Sequence, residues 1–275
     1  MQKFNPDIFL KTLILFIASH AVGLFVANHL IGDPSVIQPE PVNTFTFIDI
    51  LVIIVAAAVF ILIVIKFKRA GGWFFRVMLT LLVLGGMHTF LDIWLQTYHA
   101  FFIAIAAAVI FLIYNNVIIH NVVMVITFGG IGALLGLSFT PQIVVIILVV
   151  LSFYDIIAVY KTKHMVSMAH NMIKARAIFG FIVPEKGQKL TTPIRNIQPG
   201  KGFMILGSGD VVLPLLLAVS LIPVSLTDGI IVSIASFVGL LFMQWLFTRQ
   251  PERRPMAALP PIALMAILGY LVALL

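Results

Sequence analysis

VVIILVVLSFYDIIAVY, residues 144–160, and FMILGSGDVVLPLLLAV, residues 203–219, are apolar runs that each carry a single aspartate, Asp155 in the first and Asp210 in the second. Crossing ~30 Å of hydrocarbon takes roughly 20 apolar residues at ~1.5 Å of helix rise each. Both runs have the length and character of such a span. Outward from them the pattern repeats, because the 275 residues are 61% hydrophobic and only 10% charged, more apolar side chain than a soluble core of this size would bury. The bilayer must therefore serve as part of the solvent. Nine spans fit, at about 8–31, 45–65, 73–94, 98–117, 121–138, 141–163, 206–224, 228–248 and 257–275. The expected fold is an all-α polytopic membrane protein with nine transmembrane helices.

The basic residues supply an independent check on that count. All 17 Lys and Arg lie at the amino end or in breaks on the same side of the membrane, counting the margins of adjoining spans. The first break, from Gly32 to Thr44, and the third, fifth and seventh contain none. Positive charge is retained on the cytoplasmic side, which predicts a cytoplasmic amino terminus and an outside carboxyl terminus. The net charge of +7 is then topological. Nucleic acid is excluded as a partner, since the basic residues form no continuous patch interleaved with exposed aromatics. With no cysteine, disulfides, thiolate catalysis and Cys-ligated metal are also excluded. The first span lacks a small-residue cleavage site and reads as a retained helix.

Three segments follow from this layout: residues 1–164 with spans one to six, residues 165–205 as a cytoplasmic segment, and residues 206–275 with spans seven to nine. In the middle segment, Met165, Met168, Met172 and Ala175 share one face, with His164, Lys174 and Arg176 elsewhere. This spacing predicts an interfacial amphipathic helix from Met165 to Phe179. From Gly180 to Gly202 the chain is rich in Gly, Pro and Lys and reads as a mobile loop, ending in a short hydrophobic strand from Phe203 to Leu206.

Of the ten acidic residues, Asp7, Asp33, Glu40, Glu185, Asp228 and Glu252 sit in or beside loops, and Asp49 and Asp92 lie near the outer ends of spans. Asp155 and Asp210 interrupt apolar stretches, where a charge costs several kcal/mol even on lenient insertion scales. Asp155 precedes Lys161 by six residues, and Asp210 falls about one turn into the next span. Antiparallel neighbours would bring both into the cytoplasmic half of the bilayer. Two carboxylates in one small buried site do not both ionise readily, so one holds a proton while the other is an anion. Such a pair can activate water and protonate a leaving amine. It can equally be a structural pair sharing a proton, or a cation or proton site in a channel or transporter, and the two aspartates alone leave these readings open.

The flanking residues are more specific. Tyr154-Asp155 and Gly207-Ser208-Gly209-Asp210 read as YD and GxGD on successive spans separated by the long loop, and Ala258-Leu259-Pro260 opens the last span. Together these resemble the GxGD intramembrane proteases of the presenilin and signal peptide peptidase family, as a microbial presenilin-type homologue. Ala257 stands where the family's PALP motif has its first proline. The nine spans, the loop position and the outside carboxyl terminus also match the presenilin pattern. The resemblance implies an intramembrane aspartyl protease of the plasma membrane that hydrolyses transmembrane helical protein substrates, surrounded by lipid, as a monomer or homo-oligomer. It implies Asp155 and Asp210 as catalytic dyad, Tyr154, Gly207, Ser208, Gly209, Ala258, Leu259 and Pro260 as motif and substrate-positioning residues, and neither cofactor nor metal.

Backbone cleavage requires an unwound substrate, and Phe203 to Leu206 with the PAL backbone are suited to pair with such a strand by edge addition. The alternative for the same segment is ordinary helix entry, and for Pro260 and Pro261 a simple helix start. His20 and His88 read as hydrogen-bonded bundle residues. The glycines at 129, 130, 132 and 136 read as helix-packing sites. Ser152 and Ser208 have no neighbouring base of the kind a serine nucleophile needs.

Overall fold

The computed structural model describes residues 6–32, 71–114, 116–161, 172–185, 187–197, 202–250 and 256–275. Among these are eight α-helices: α1 (Pro6–Ile31), α2 (Gly71–Leu91), α3 (Thr97–Ile113), α4 (Val117–Ser138), α5 (Pro141–Ile156), α6 (Ser208–Ser220), α7 (Leu226–Thr248) and α8 (Leu259–Ala273). They coincide with eight of the nine expected spans. The span at 45–65 and Asp49 lie outside the described residues, as do Met165 and Met168. Five helices have the length and apolarity to cross a membrane, while α3, α6 and α8 are shorter. Large apolar side chains face outward along the bundle, Leu10, Ile14, Phe102, Phe153 and Leu264 among them. A water-soluble protein would bury such faces.

Helix boundaries follow local chemistry. Asn116 caps α4 by accepting from the Ile119 N–H at 3.0 Å, and Ser225 caps α7 by accepting from the Asp228 N–H at 3.3 Å, each satisfying a donor that the first turn leaves free. Pro141 opens α5, a position where its missing N–H is no loss. At the other end of α5 the chain continues as a π-helical turn, Ile157–Lys161, directly after Asp155.

Helix α6 is the centre of the bundle, with Val211 and every residue from Pro214 to Ser220 buried. It packs against α1, α4, α5, α7 and α8. At 13 residues it extends only ~20 Å, because the strand β2 (Phe203–Gly207) precedes it where the expected span began. Five extended residues add ~16 Å of chain, and non-helical backbone inside a membrane protein is tolerated where protein surrounds it.

Two expectations for the middle segment are corrected. The helix forecast to reach Phe179 ends at Lys174 among the described residues. Arg176 takes a left-handed conformation, φ 54°, and the Ala177 N–H closes back on the Met172 carbonyl at 2.9 Å, a helix-terminating geometry. Arg76 of α2 fastens this turn by donating from Nε to the Ala175 carbonyl at 2.7 Å. Ala175, Ala177 and Ile178 are buried rather than interfacial.

The loop forecast from Gly180 onward instead begins with strand β1 (Gly180–Pro184), paired antiparallel with β2 in the register Gly180↔Gly207, Ile182↔Ile205 and Pro184↔Phe203. The chain beyond it docks on the start of α4: the Val117 and Ile118 N–H groups donate to Thr192 and Leu190 at 3.2 and 3.1 Å. Ile194 and Ile197 bury beside Ile178, Ile182 and Phe203. Free helix donors and apolar side chains anchor a segment whose composition alone suggested mobility.

The glycines of α4 serve helix contact. A Cβ on Gly130 would collide with the Gly86 carbonyl oxygen, and one on Gly86 with that of Thr127, so α2 and α4 cross backbone to backbone as small residues in membrane helices allow. Gly130→Val forces that crossing apart. Overpacking costs on the order of 1–3 kcal/mol, and the thermal midpoint of the purified protein is expected to fall by about 5–10 °C, as followed by circular dichroism in detergent.

Candidate active site

Helices α5, α6 and α8 pack on one another, and their adjoining ends hold the two aspartates. Asp155 sits in the last turn of α5 and Asp210 in the first turn of α6, exposed by only 8% and 7%. They are close enough for the charge of Asp155 to act on Asp210. Pro214 stands four residues after Asp210 inside α6 and has no N–H to give the Asp210 carbonyl. The helix ladder is therefore open at this residue.

The third motif meets the first through its backbone. The N-cap residue of α8, Ala258, supplies no side-chain cap of its own, and Pro260 and Pro261 bring no N–H groups. The Leu259 N–H donates to Asp155 Oδ2 at 3.3 Å, with the Ala258 amide also facing that carboxylate. Asp155 thus caps α8 from another helix. Ala257 and Leu259 are buried, and the proline start expected for this helix is present as well.

The two glycines of GxGD differ in their surroundings. Gly207 lies at the end of β2 with an ordinary φ of −65°; its requirement is steric, since a Cβ there would stand 3.2 Å from Asp210 Oδ2. Its amide also faces Asp210. Gly209 is exposed, and a Cβ on it would meet only Leu213 at 3.8 Å. Ser208 donates its backbone N–H to the Phe179 carbonyl at 3.1 Å, extending the strand pairing to the helix start. Tyr154, the residue before Asp155, has a side chain that is 39% exposed.

Residues matching the family described as signal-peptide peptidase, presenilin aspartyl protease run from 11 to 275. The chain belongs to this family. Two solved structures, each described as a presenilin family intramembrane aspartate protease, have the same fold. One, in space group C222, is 21% identical with a TM-score of 0.62; the other, in space group P2, is 20% identical with a TM-score of 0.63. In both pairs 96% of each chain is covered. No curated protein matches the chain. As a family member it is an integral membrane protein of the presenilin-type intramembrane aspartyl proteases, a family whose substrates are transmembrane proteins. Neither comparison supports the channel or transporter reading.

Three side chains that hold β1 were not singled out from sequence: Lys11, His120 and Asn121. Asn121 donates from Nδ2 to the Ile182 carbonyl at 2.7 Å and accepts from the Ile182 N–H at 2.9 Å. His120 Nε2 donates to the Gly180 carbonyl at 2.9 Å. Lys11, paired with Asp7 at 2.7 Å, reaches the Pro184 carbonyl at 3.2 Å. The adjacent polar pair His120-Asn121 in an otherwise apolar span was the available signal. His20, by contrast, is the expected bundle residue, with Nδ1 3.2 Å from Ser233 Oγ.

Proposed function

We propose that Asp155 and Asp210 are a catalytic dyad of the GxGD type that hydrolyses peptide bonds within transmembrane helices using one water molecule. The observation that carries this reading is the convergence of the three motifs: two buried aspartates within electrostatic reach, one of them hydrogen-bonded by the backbone of Leu259. One proton is shared between the carboxyls. The anionic carboxylate takes a proton from water as the oxygen attacks the scissile carbonyl, and the protonated partner donates to that carbonyl oxygen. As the gem-diol collapses, the newly protonated carboxyl gives its proton to the departing amine and a diol hydroxyl returns one to the other carboxylate, so the dyad ends with the single proton it began with.

Substrate alignment follows from the strand pair. In β1 the residues turned away from β2 are 180, 182 and 184, as the Asn121 bonds to both backbone groups of Ile182 require. By the same register Phe203, Ile205 and Gly207 present their N–H and C=O groups on the far side of β2, toward Asp210. Among the described residues no strand pairs with this edge, and a free edge is a template for an added strand. An unwound substrate segment pairs along Phe203–Gly207 and carries its scissile bond past the open side of Gly209 to the dyad. The site lies toward the cytoplasmic face in the nine-span orientation set by the basic residues.

The test is purified protein in proteoliposomes with a fluorogenic transmembrane peptide. Cleavage that a transition-state-like aspartyl inhibitor blocks is the expected result. Inhibitor binding without turnover, or cation flux dependent on both acids without proteolysis, overturns it.

A further inference from the structure

The two edges of the strand pair are unlike. On the side of β1 remote from β2, the outward carbonyls of Gly180, Ile182 and Pro184 accept from His120, Asn121 and Lys11, and the Ile182 N–H donates to Asn121. These side chains come from two helices, α1 and α4, and together they occupy the positions a third strand would use. Gly180, Ile182, His120 and Asn121 are all buried. Among the described residues, no such side chain hydrogen-bonds the outward backbone of Ile205 on β2. Two buried polar side chains in an apolar span are costly unless satisfied. Here each is bonded to strand backbone rather than to another helix.

We propose that Lys11, His120 and Asn121 form a rear-edge cap that makes the sheet one-sided, and that Asn121 is a positioning residue fixing the register in which a substrate strand meets the aspartates. The inference rests on the strand addition proposed above. Its logic is geometric. Asn121 grips both backbone groups of Ile182, Ile182 faces Ile205, and Ile205 lies five residues before Asp210. A slip of β1 by two residues keeps every side chain on its own face, so side-chain burial alone does not forbid it. The paired bonds of Asn121 do, because only one residue at a time can fill both. His120 and Lys11 hold the neighbouring carbonyls at the same two-residue spacing. With β1 pinned, β2 and any strand added to it are pinned in turn.

The discriminating measurement is where the substrate is cut. Asn121→Leu conserves volume and removes both bonds; Lys11→Met removes the bond to Pro184 together with the Asp7 ion pair, which lies outside the strand pair. Products of one transmembrane peptide are identified by mass spectrometry for wild type and each variant, with melting followed in parallel. For Asn121→Leu, secondary cuts displaced from the main site are expected to rise about 10-fold relative to it, consistent with losing two hydrogen bonds. Lys11→Met should shift the same ratio in the same direction by less. A folded Asn121→Leu variant that cuts more slowly at an unchanged ratio overturns the proposal. If Asn121→Leu does not fold, an unchanged ratio in Lys11→Met does so. Failure of the wild type to cleave rejects the protease reading separately. The cap is then read by hydrogen exchange: Asn121→Leu should lose protection at the amides of residues 180–183, or in Lys11→Met at the Glu185 amide beside Pro184, and unaltered exchange rejects it.

Discussion

Asp155→Asn and Asp210→Asn are each expected to lower cleavage of a transmembrane peptide by about 10³-fold or more, with melting near that of the wild type. General acid and base transfer contributes on the order of 10²–10⁴-fold, and in the proposed dyad both roles fall on a single pair, so removing either member disables the unit. Asparagine has the shape of aspartate but neither takes nor shares the proton. In Asp155→Asn the side-chain carbonyl still accepts from the Leu259 N–H, whose bond to Oδ2 is 3.3 Å in the wild type, so the start of α8 keeps its cap. Structure and chemistry are thereby separated. Either single variant retaining more than about a tenth of wild-type activity while folded would remove the dyad from the mechanism.

Gly207→Val is the second large effect, and it acts on geometry rather than protons. Even the first carbon of the new side chain lies 3.2 Å from Asp210 Oδ2, and the two methyls beyond it need space next to the carboxylate. Asp210 is 7% exposed, so little open space receives a displaced side chain. Misplacing a reacting group by about 1 Å costs on the order of 10²-fold. The expected result is a kcat lower by about that factor, with KM for the same peptide changed much less. Gly209→Ala is the internal control, since its added carbon meets only Leu213, at 3.8 Å. If the two substitutions are equally damaging, the close approach of Gly207 to Asp210 is not what matters. If Gly207→Val keeps full activity, the site has room that its geometry denies.

The amphipathic segment and the loop mark where reading from sequence ended. Arg176 carries no left-handed signal of the kind glycine or asparagine would, so a helix through Phe179 was the natural expectation. The turn is fastened by Arg76, 99 residues earlier in the chain, which holds the Ala175 carbonyl. Similarly, GFIVP at 180–184 is too short to declare itself a strand. Its edges are completed by β2 on one side and by Lys11, His120 and Asn121 on the other. Local propensity is weak when partners come from distant segments.

What the linear chain determined by itself is the solvent it folds in and the residues that cannot be idle. Apolar runs of bilayer length demand helices because the backbone has no water to bond, and an aspartate inside such a run is too costly to be incidental. What only the tertiary structure decided is which groups meet: the Leu259 amide on Asp155, the Gly207 backbone against Asp210, and a strand edge closed behind by Asn121, His120 and Lys11. Those contacts join residues up to 173 positions apart, and their energies exist only once packing has brought backbone donors and acceptors from separate helices within hydrogen-bonding distance.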